Sequence, residues 1–191
     1  WGRSGPRGNL RLEQAFARLA AIHERQPIDV ILISGDLTDA GASTEWAAFF
    51  DALAPFPQLR ERIVGLPGNH DLNVVDRANP ARLDLPGSPL KRLRQMRLLA
   101  ALCALQGERA HVFDAAAGGP GPTLNRYLEP HQAAISAFAD RGSRRLSRRL
   151  SDVADLAFPM VLPPAGGNGL GIIVLNSNAD THFSFTNALG M

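Results

Sequence analysis

Ile28-Asp29-Val30-Ile31-Leu32-Ile33-Ser34-Gly35-Asp36, followed by Arg62-Ile63-Val64-Gly65-Leu66-Pro67-Gly68-Asn69-His70-Asp71, decides how this chain folds. Each stretch is a short β-branched apolar run that stops on glycine-bearing polar residues, the pattern of a buried strand ended by a turn. Between them, Ser43 or Thr44 can cap a helix that carries Trp46, Phe49, Phe50 and Leu53 on one stripe and closes at Pro55 and Pro57. Strand, helix and strand in that order make a β-α-β unit, which favours a parallel sheet with helices on its faces. Parallel strands bring their carboxyl ends to one edge, where open α/β sheets bind ligands. Asp36 and Asn69, 33 positions apart, are therefore expected to converge there with His70.

Outward from this unit the pattern is mixed. Trp1 to Gly8 is rich in glycine, arginine and proline and reads as loop. Asn9 then caps a helix to about Gln26, with Leu12, Ala15, Phe16, Leu19, Ala20 and Ile22 at helical spacing. Asp76 to Gly87 reads as loop, Leu90 to Leu105 as helix, and Ala115 to Pro122 as a hinge. Glu129 to Leu156 reads as mostly helical with a break near Gly142, and Leu170 to Leu175 as a third strand. Residues 77–160 are too many for a simple βα connection and are read as a helical insertion over the sheet edge.

Composition narrows the class. The chain has 191 residues, 45% of them hydrophobic, enough for one packed domain and too many for wholesale disorder. A formal net charge of +2 is a poor argument for a nucleic-acid partner. Cys103 is a single cysteine in an apolar helical run, so neither a disulfide framework nor a cysteine zinc site can be built. No apolar run approaches the roughly 18–20 residues of a membrane span. The chain starts at Trp1 and stops at Met191 after an apolar stretch, so both ends read as cut. A cytoplasmic location is a weak expectation only.

The residues at the sheet edge suggest a chemistry. A carboxylate such as Asp36 can bridge two divalent cations, and the amide oxygen of Asn69 suits a hard or borderline cation. The neighbouring imidazole of His70, left off the metal, can donate to a phosphoryl group, with Asp71 expected to hold it in the right tautomer. Gly35 and Gly68 allow sharp turns and keep Cβ atoms out of the pocket.

Gly35-Asp36-Leu37-Thr38-Asp39 followed by Gly68-Asn69-His70-Asp71 resembles the second and third signature blocks of calcineurin-like metallophosphoesterases. The continuation through Gly41 to Glu45-Trp46 most resembles the branch holding class III cyclic-nucleotide phosphodiesterases. The resemblance is close over about residues 28–75 and looser at 1–27 and 170–191. It implies a layered αββα sandwich, here partial and carrying the helical insertion. It implies hydrolysis of phosphodiester or phosphomonoester bonds by a hydroxide held between two divalent metal ions (Mn, Fe or Zn). Asp36 would bridge the metals, Asn69 would ligate the second, His70 would be catalytic, Asp71 would orient it and Asp39 would fix the loop. The family's opening Asp-x-His and closing Gly-His-x-His blocks are missing, so 1–191 reads as an incomplete domain, inactive alone, of an active enzyme. The implied partner is a small phosphate ester, with neither membrane nor nucleic acid; the oligomeric state is left open. The alternatives are a non-catalytic interaction module of the same fold and a nuclease-like binder using Arg141, Arg144, Arg145, Arg148 and Arg149. No aromatic residues interleave with those arginines, which weakens single-strand binding and favours a solvated face, as for Lys91, Arg92, Arg94 and Arg97. His23 reads as a surface residue, His182 as a loop residue at the pocket rim, and Trp46 and Phe49 as core.

Overall fold

The computed structural model describes residues 6–76, 78–79, 81–85, 88–133, 135, 155–164, 169–178, 181–184 and 187. Helix α1 (Pro6–Arg25) leads into β1 (Ile31–Ile33), α2 (Ser43–Leu53), the single turn α3 (Pro57–Arg60) and β2 (Ile63–Gly65). β1 and β2 pair in parallel, with Ile31 opposite Ile63 and Ile33 opposite Gly65, so the β-α-β unit stands where its sequence places it. The cap of α2 differs from expectation. Ala42 is the N-cap, and Glu45 turns back to accept from the amides of Ala42 at 3.0 Å and Ala40 at 2.9 Å. No side-chain oxygen caps the amides inside the first turn; the long acidic side chain instead satisfies the N–H of the N-cap and of the loop before it.

Two clusters make the core. Phe16 and Ala20 of α1, Phe49 and Leu53 of α2, Leu59 and Ile63 pack together. Phe49 sits edge-on to Phe16 and to Trp46, with ring centroids 5.9 and 6.3 Å apart. Trp46 is buried here, so it is core as expected and cannot stack on a substrate. Each such side chain contributes about 1.5–3 kcal/mol on burial, which makes this aromatic seam the main reason α1 stays docked. β1 departs from the buried strand expected of it: Leu32 is half exposed, while all of β2 is buried.

The second cluster lies between α5 (Pro89–Gln106) and a separate sheet. After the turn α4 (Asn69–Leu72) and α5 come β3 (His111–Asp114), β4 (Gly119–Thr123), the turn α6 (Leu124–Leu128), a 3₁₀ turn (Glu129–His131), β5 (Met160–Leu162) and β6 (Ile172–Val174). Their order is β4-β3-β5-β6, antiparallel throughout. The hinge expected over Ala115–Pro122 is therefore a turn entering a strand. Pro120 and Pro122 are tolerated because β4 is an edge strand, where a missing N–H interrupts nothing. Within 77–160 the described residues thus hold strands as well as α5. The residues 141–149 that carry the arginine cluster lie outside the described residues. The architecture is mixed α/β, as expected, with helices packed on two sheets.

The side of β2 away from β1 is closed by side chains. Gln106 accepts from the Gly65 amide at 2.8 Å and donates to the Gly65 carbonyl at 3.3 Å. Arg109 donates to the Ile63 carbonyl at 2.6 Å. Gln106 is buried, so its amide stands in for a neighbouring strand where backbone groups would otherwise be unsatisfied.

Candidate active site

The turn after β1 and the turn after β2 interlock. Gly35 has φ 105° and Asp36 φ 53°, a left-handed pair that reverses the chain within two residues. Aspartate tolerates this region better than a branched or bulky residue does. Gly68 lies directly beneath: a Cβ there would sit 2.1 Å from the Asp36 amide nitrogen and 2.2 Å from its Oδ1. A Cβ on Gly35 would sit 2.8 Å from the Gly68 Cα. The two glycines are required by close approach of two backbones, not by flexibility.

That approach delivers Asp36 Oδ1 to the His70 amide, which donates to it at 3.0 Å. Asp36 and His70 therefore come together, with Asn69 between them and Gly68. The Asn69 side chain makes no hydrogen bond to a described residue, and Asp36 uses only Oδ1. The His70 ring is one-third exposed and rests on Asp39: Nδ1 is 2.8 Å from the Asp39 carbonyl oxygen and 3.2 Å from its Oδ1. Both are acceptors, so Nδ1 carries the proton and Nε2 is the nitrogen left for other chemistry.

Asp71 was expected to orient that ring, and the structure corrects this. Its fully buried carboxylate accepts from the amides of Thr38 at 2.9 Å, Leu37 at 3.3 Å and Gly68 at 2.9 Å, and from the Thr38 hydroxyl at 2.8 Å. Asp71 is the third residue of α4, so its side chain bends back to the N-cap Gly68 rather than outward to its neighbour's ring. Burial pushes its carboxyl above the usual range, against the pull of the four hydrogen bonds. Asp71 is thus the rivet between the two turns, and Asp39 orients His70.

The cations of α5 are not a solvated face either. Arg94 Nε donates to the Ala40 carbonyl at 3.1 Å and Arg97 Nη1 to the Gly41 carbonyl at 3.2 Å. Burial lowers the Arg94 pKa, with Asp84 and Glu45 among the charges acting on it. Lys91 is buried and donates to the Thr181 carbonyl at 2.9 Å. Spacing alone did not show that the 38–42 loop lies over this helix.

On the far side, Asn178 Nδ2 donates to the Pro67 carbonyl at 3.3 Å, and Asn176 Oδ1 accepts from the Asn178 amide at 3.1 Å. The loop after β6 is braced by its asparagines and touches the turn after β2. His182 is exposed, and its carbonyl accepts from the Asp84 amide at 2.9 Å. His23 is half-buried rather than fully exposed, its Nδ1 accepting from the Ile28 amide at 2.9 Å.

Asp36 and Asn69 fit part of a metal's coordination shell: the donors are hard oxygens, Asp36 Oδ2 and the Asn69 side-chain oxygen carry no hydrogen bond from a described residue, and Gly68 keeps the space beside Asp36 clear. Among the described residues no three His, Cys, Asp or Glu side chains gather into a metal-binding group. No helix among them is long and apolar enough to cross a membrane.

Two glycine-tight turns at parallel strand ends thus hold a carboxylate, an amide and an oriented imidazole side by side. The calcineurin-like phosphoesterase family model matches residues 9–155, and the chain belongs to that family, whose members are metal-dependent hydrolases of phosphate esters. No curated protein and no solved structure gives a match to the chain.

Proposed function

We propose that the whole protein to which this chain belongs hydrolyses phosphodiester or phosphomonoester bonds, with Asp36 and Asn69 as oxygen ligands to a pair of divalent metal ions (Mn, Fe or Zn) and His70 as the catalytic imidazole; the chain supplies part of that site. The observation that carries the reading is the state of three groups on two turns that the His70 amide ties together through Asp36 Oδ1. Among the described residues, Asp36 Oδ2, the Asn69 side-chain amide and His70 Nε2 have no hydrogen-bond partner, while Asp36 Oδ1 and His70 Nδ1 are engaged. When bound, such ions act as Lewis acids that offset phosphoryl charge and lower the pKa of water. The chain supplies the imidazole. His70, held through Nδ1–H by Asp39, presents Nε2; in its imidazolium form it donates Nε2–H to the leaving oxygen. The Asp39 carboxylate lies 3.2 Å from Nδ1 and shares in holding the ring.

Leu37-Thr38-Asp39-Ala40-Gly41 with Glu45-Trp46 supports placement near the class III cyclic-nucleotide phosphodiesterases, so cyclic diesters are the first natural substrates to try. The test uses bis(p-nitrophenyl) phosphate with Mn²⁺. His70→Ala lowers kcat by about 10²–10⁴-fold at unchanged metal content. Asp36→Asn lowers the metal content itself. Turnover of His70→Ala within threefold of wild type, a limit set at about 0.6 kcal/mol of barrier, removes His70 from the mechanism.

A further inference from the structure

We propose that Glu45 is a positioning residue for His70, acting through the Asp39–Ala40 peptide unit; the inference rests on the role given to His70 above. That peptide is gripped at both ends. Its carbonyl oxygen accepts from His70 Nδ1 at 2.8 Å, and its N–H donates to Glu45 Oε2 at 2.9 Å. A carboxylate, a peptide and an imidazole thus lie in one hydrogen-bonded chain. A carboxylate on the N–H side polarises the peptide and makes its carbonyl a better acceptor, so Glu45 strengthens the bond that fixes the His70 tautomer.

The next two peptides show that this grip is part of a built frame. Gly41 donates to the Thr38 hydroxyl at 3.1 Å while Ala40 accepts from Arg94. Ala42 donates to Glu45 Oε2 at 3.0 Å while Gly41 accepts from Arg97. Three successive peptide units are each held on the N–H side and on the C=O side. Of these partners, Glu45 alone acts on the unit that meets the ring. Gly41, at φ 62°, packs with no room for a Cβ between the Asp71 carbonyl and the Arg94 stem, at 2.7 and 2.8 Å, so the loop cannot slide to compensate for a lost bond.

The rival role for Glu45 is only that of a helix cap, and a cap affects stability without touching the ring. The full chain is labelled with ¹⁵N, and the His70 tautomer is read from long-range ¹H–¹⁵N spectra, assigned by its loss in His70→Asn. Turnover of bis(p-nitrophenyl) phosphate with Mn²⁺ is measured in parallel. In the wild type the Nδ1–H tautomer dominates. Glu45→Ala gives a mixture with Nε2–H and lowers kcat about tenfold with KM within twofold, as expected for loss of a second-sphere partner. Glu45→Gln, whose amide oxygen can still accept from both N–H groups, restores the tautomer and most of kcat. If Glu45→Ala does not fold, Glu45→Asp, which keeps the charge but withdraws the oxygen, shows the same mixing. An unchanged tautomer in a folded Glu45→Ala or Glu45→Asp overturns the proposal. The tautomer is read without turnover, so it decides the matter even if His70 proves dispensable for hydrolysis.

Discussion

Among the described residues two aspartates, Asp71 and Asp84, are buried, and they are stabilised by opposite means. Asp71 sits under the signature turns, surrounded by three backbone amides and one hydroxyl, with no cation among its hydrogen-bond partners. Asp84 sits where residues 74–91 meet the segment after β6. It accepts from the Asn187 amide at 2.8 Å and the Ser88 hydroxyl at 3.0 Å, and the Lys91 ammonium lies 4.0 Å away. Lys91 in turn donates to Thr181, whose hydroxyl bonds Asn187. Asp71 is served by peptide dipoles from two turns that its own motif shapes. Asp84 depends on the ammonium of nearby Lys91 and on a side-chain amide that Asn187 brings from a distant part of the chain. A carboxylate in a loop of converging N–H groups needs no counter-ion, whereas one between separate segments does.

Breaking the Asp71 arrangement should have the largest effect. Asp71→Ala leaves three buried amides and a hydroxyl without their acceptor and should cost about 4 kcal/mol, read from urea midpoints. It should also loosen Asp36 and His70 together, because both turns hang on it. Asp84→Leu should cost about 3 kcal/mol, since it removes the carboxylate that faces the buried Lys91 ammonium and accepts from Asn187 and Ser88. Here the contrast sharpens: Lys91→Met added to Asp84→Leu should recover most of that loss, because an apolar pair can replace a buried ion pair. No second substitution should rescue Asp71→Ala, because three of its four partners are backbone amides. Rescue of both, or of neither, would erase the distinction.

The smallest effect is on pH dependence. Burial raises the Asp71 carboxyl above its ordinary 3.8, so the folded chain holds that proton more tightly than the unfolded chain does. Its contribution to stability is therefore complete below 3.8 and is lost as pH rises through the raised value. Wild type compared with Asp71→Asn should lose ground as pH climbs from about 3 through that window, then hold level. Denaturant midpoints of both proteins across the range provide the check.

The same contrast explains what the sequence made legible. Gly35-Asp36 and Gly68-Asn69-His70 could be placed because a β-α-β unit fixes its own strand ends from local pattern. The Asp71 role was legible too, in its spacing three residues after Gly68, but proximity to His70 masked the capping signal. Lys91, Arg94 and Arg97 were misread because helical periodicity tells which residues share a face, not which loop will cover it. β4, Gly-Pro-Gly-Pro-Thr, has no strand propensity at all; pairing with β3 along Phe113 and Asp114 creates it. β5 left a faint mark, Met160-Val161-Leu162 between Pro159 and Pro163, which the preceding helical pattern obscured.

Gln106 and Arg109, capping the outer side of β2, have a consequence for assembly. An open strand invites recruitment of another chain, and β2 has its outward-facing Ile63 carbonyl and both Gly65 groups already engaged. The parallel sheet is therefore one-sided: any further strand, of this chain or another, must join beyond β1. Replacing Gln106 with a residue that cannot bond both Gly65 groups would open a second front for aggregation.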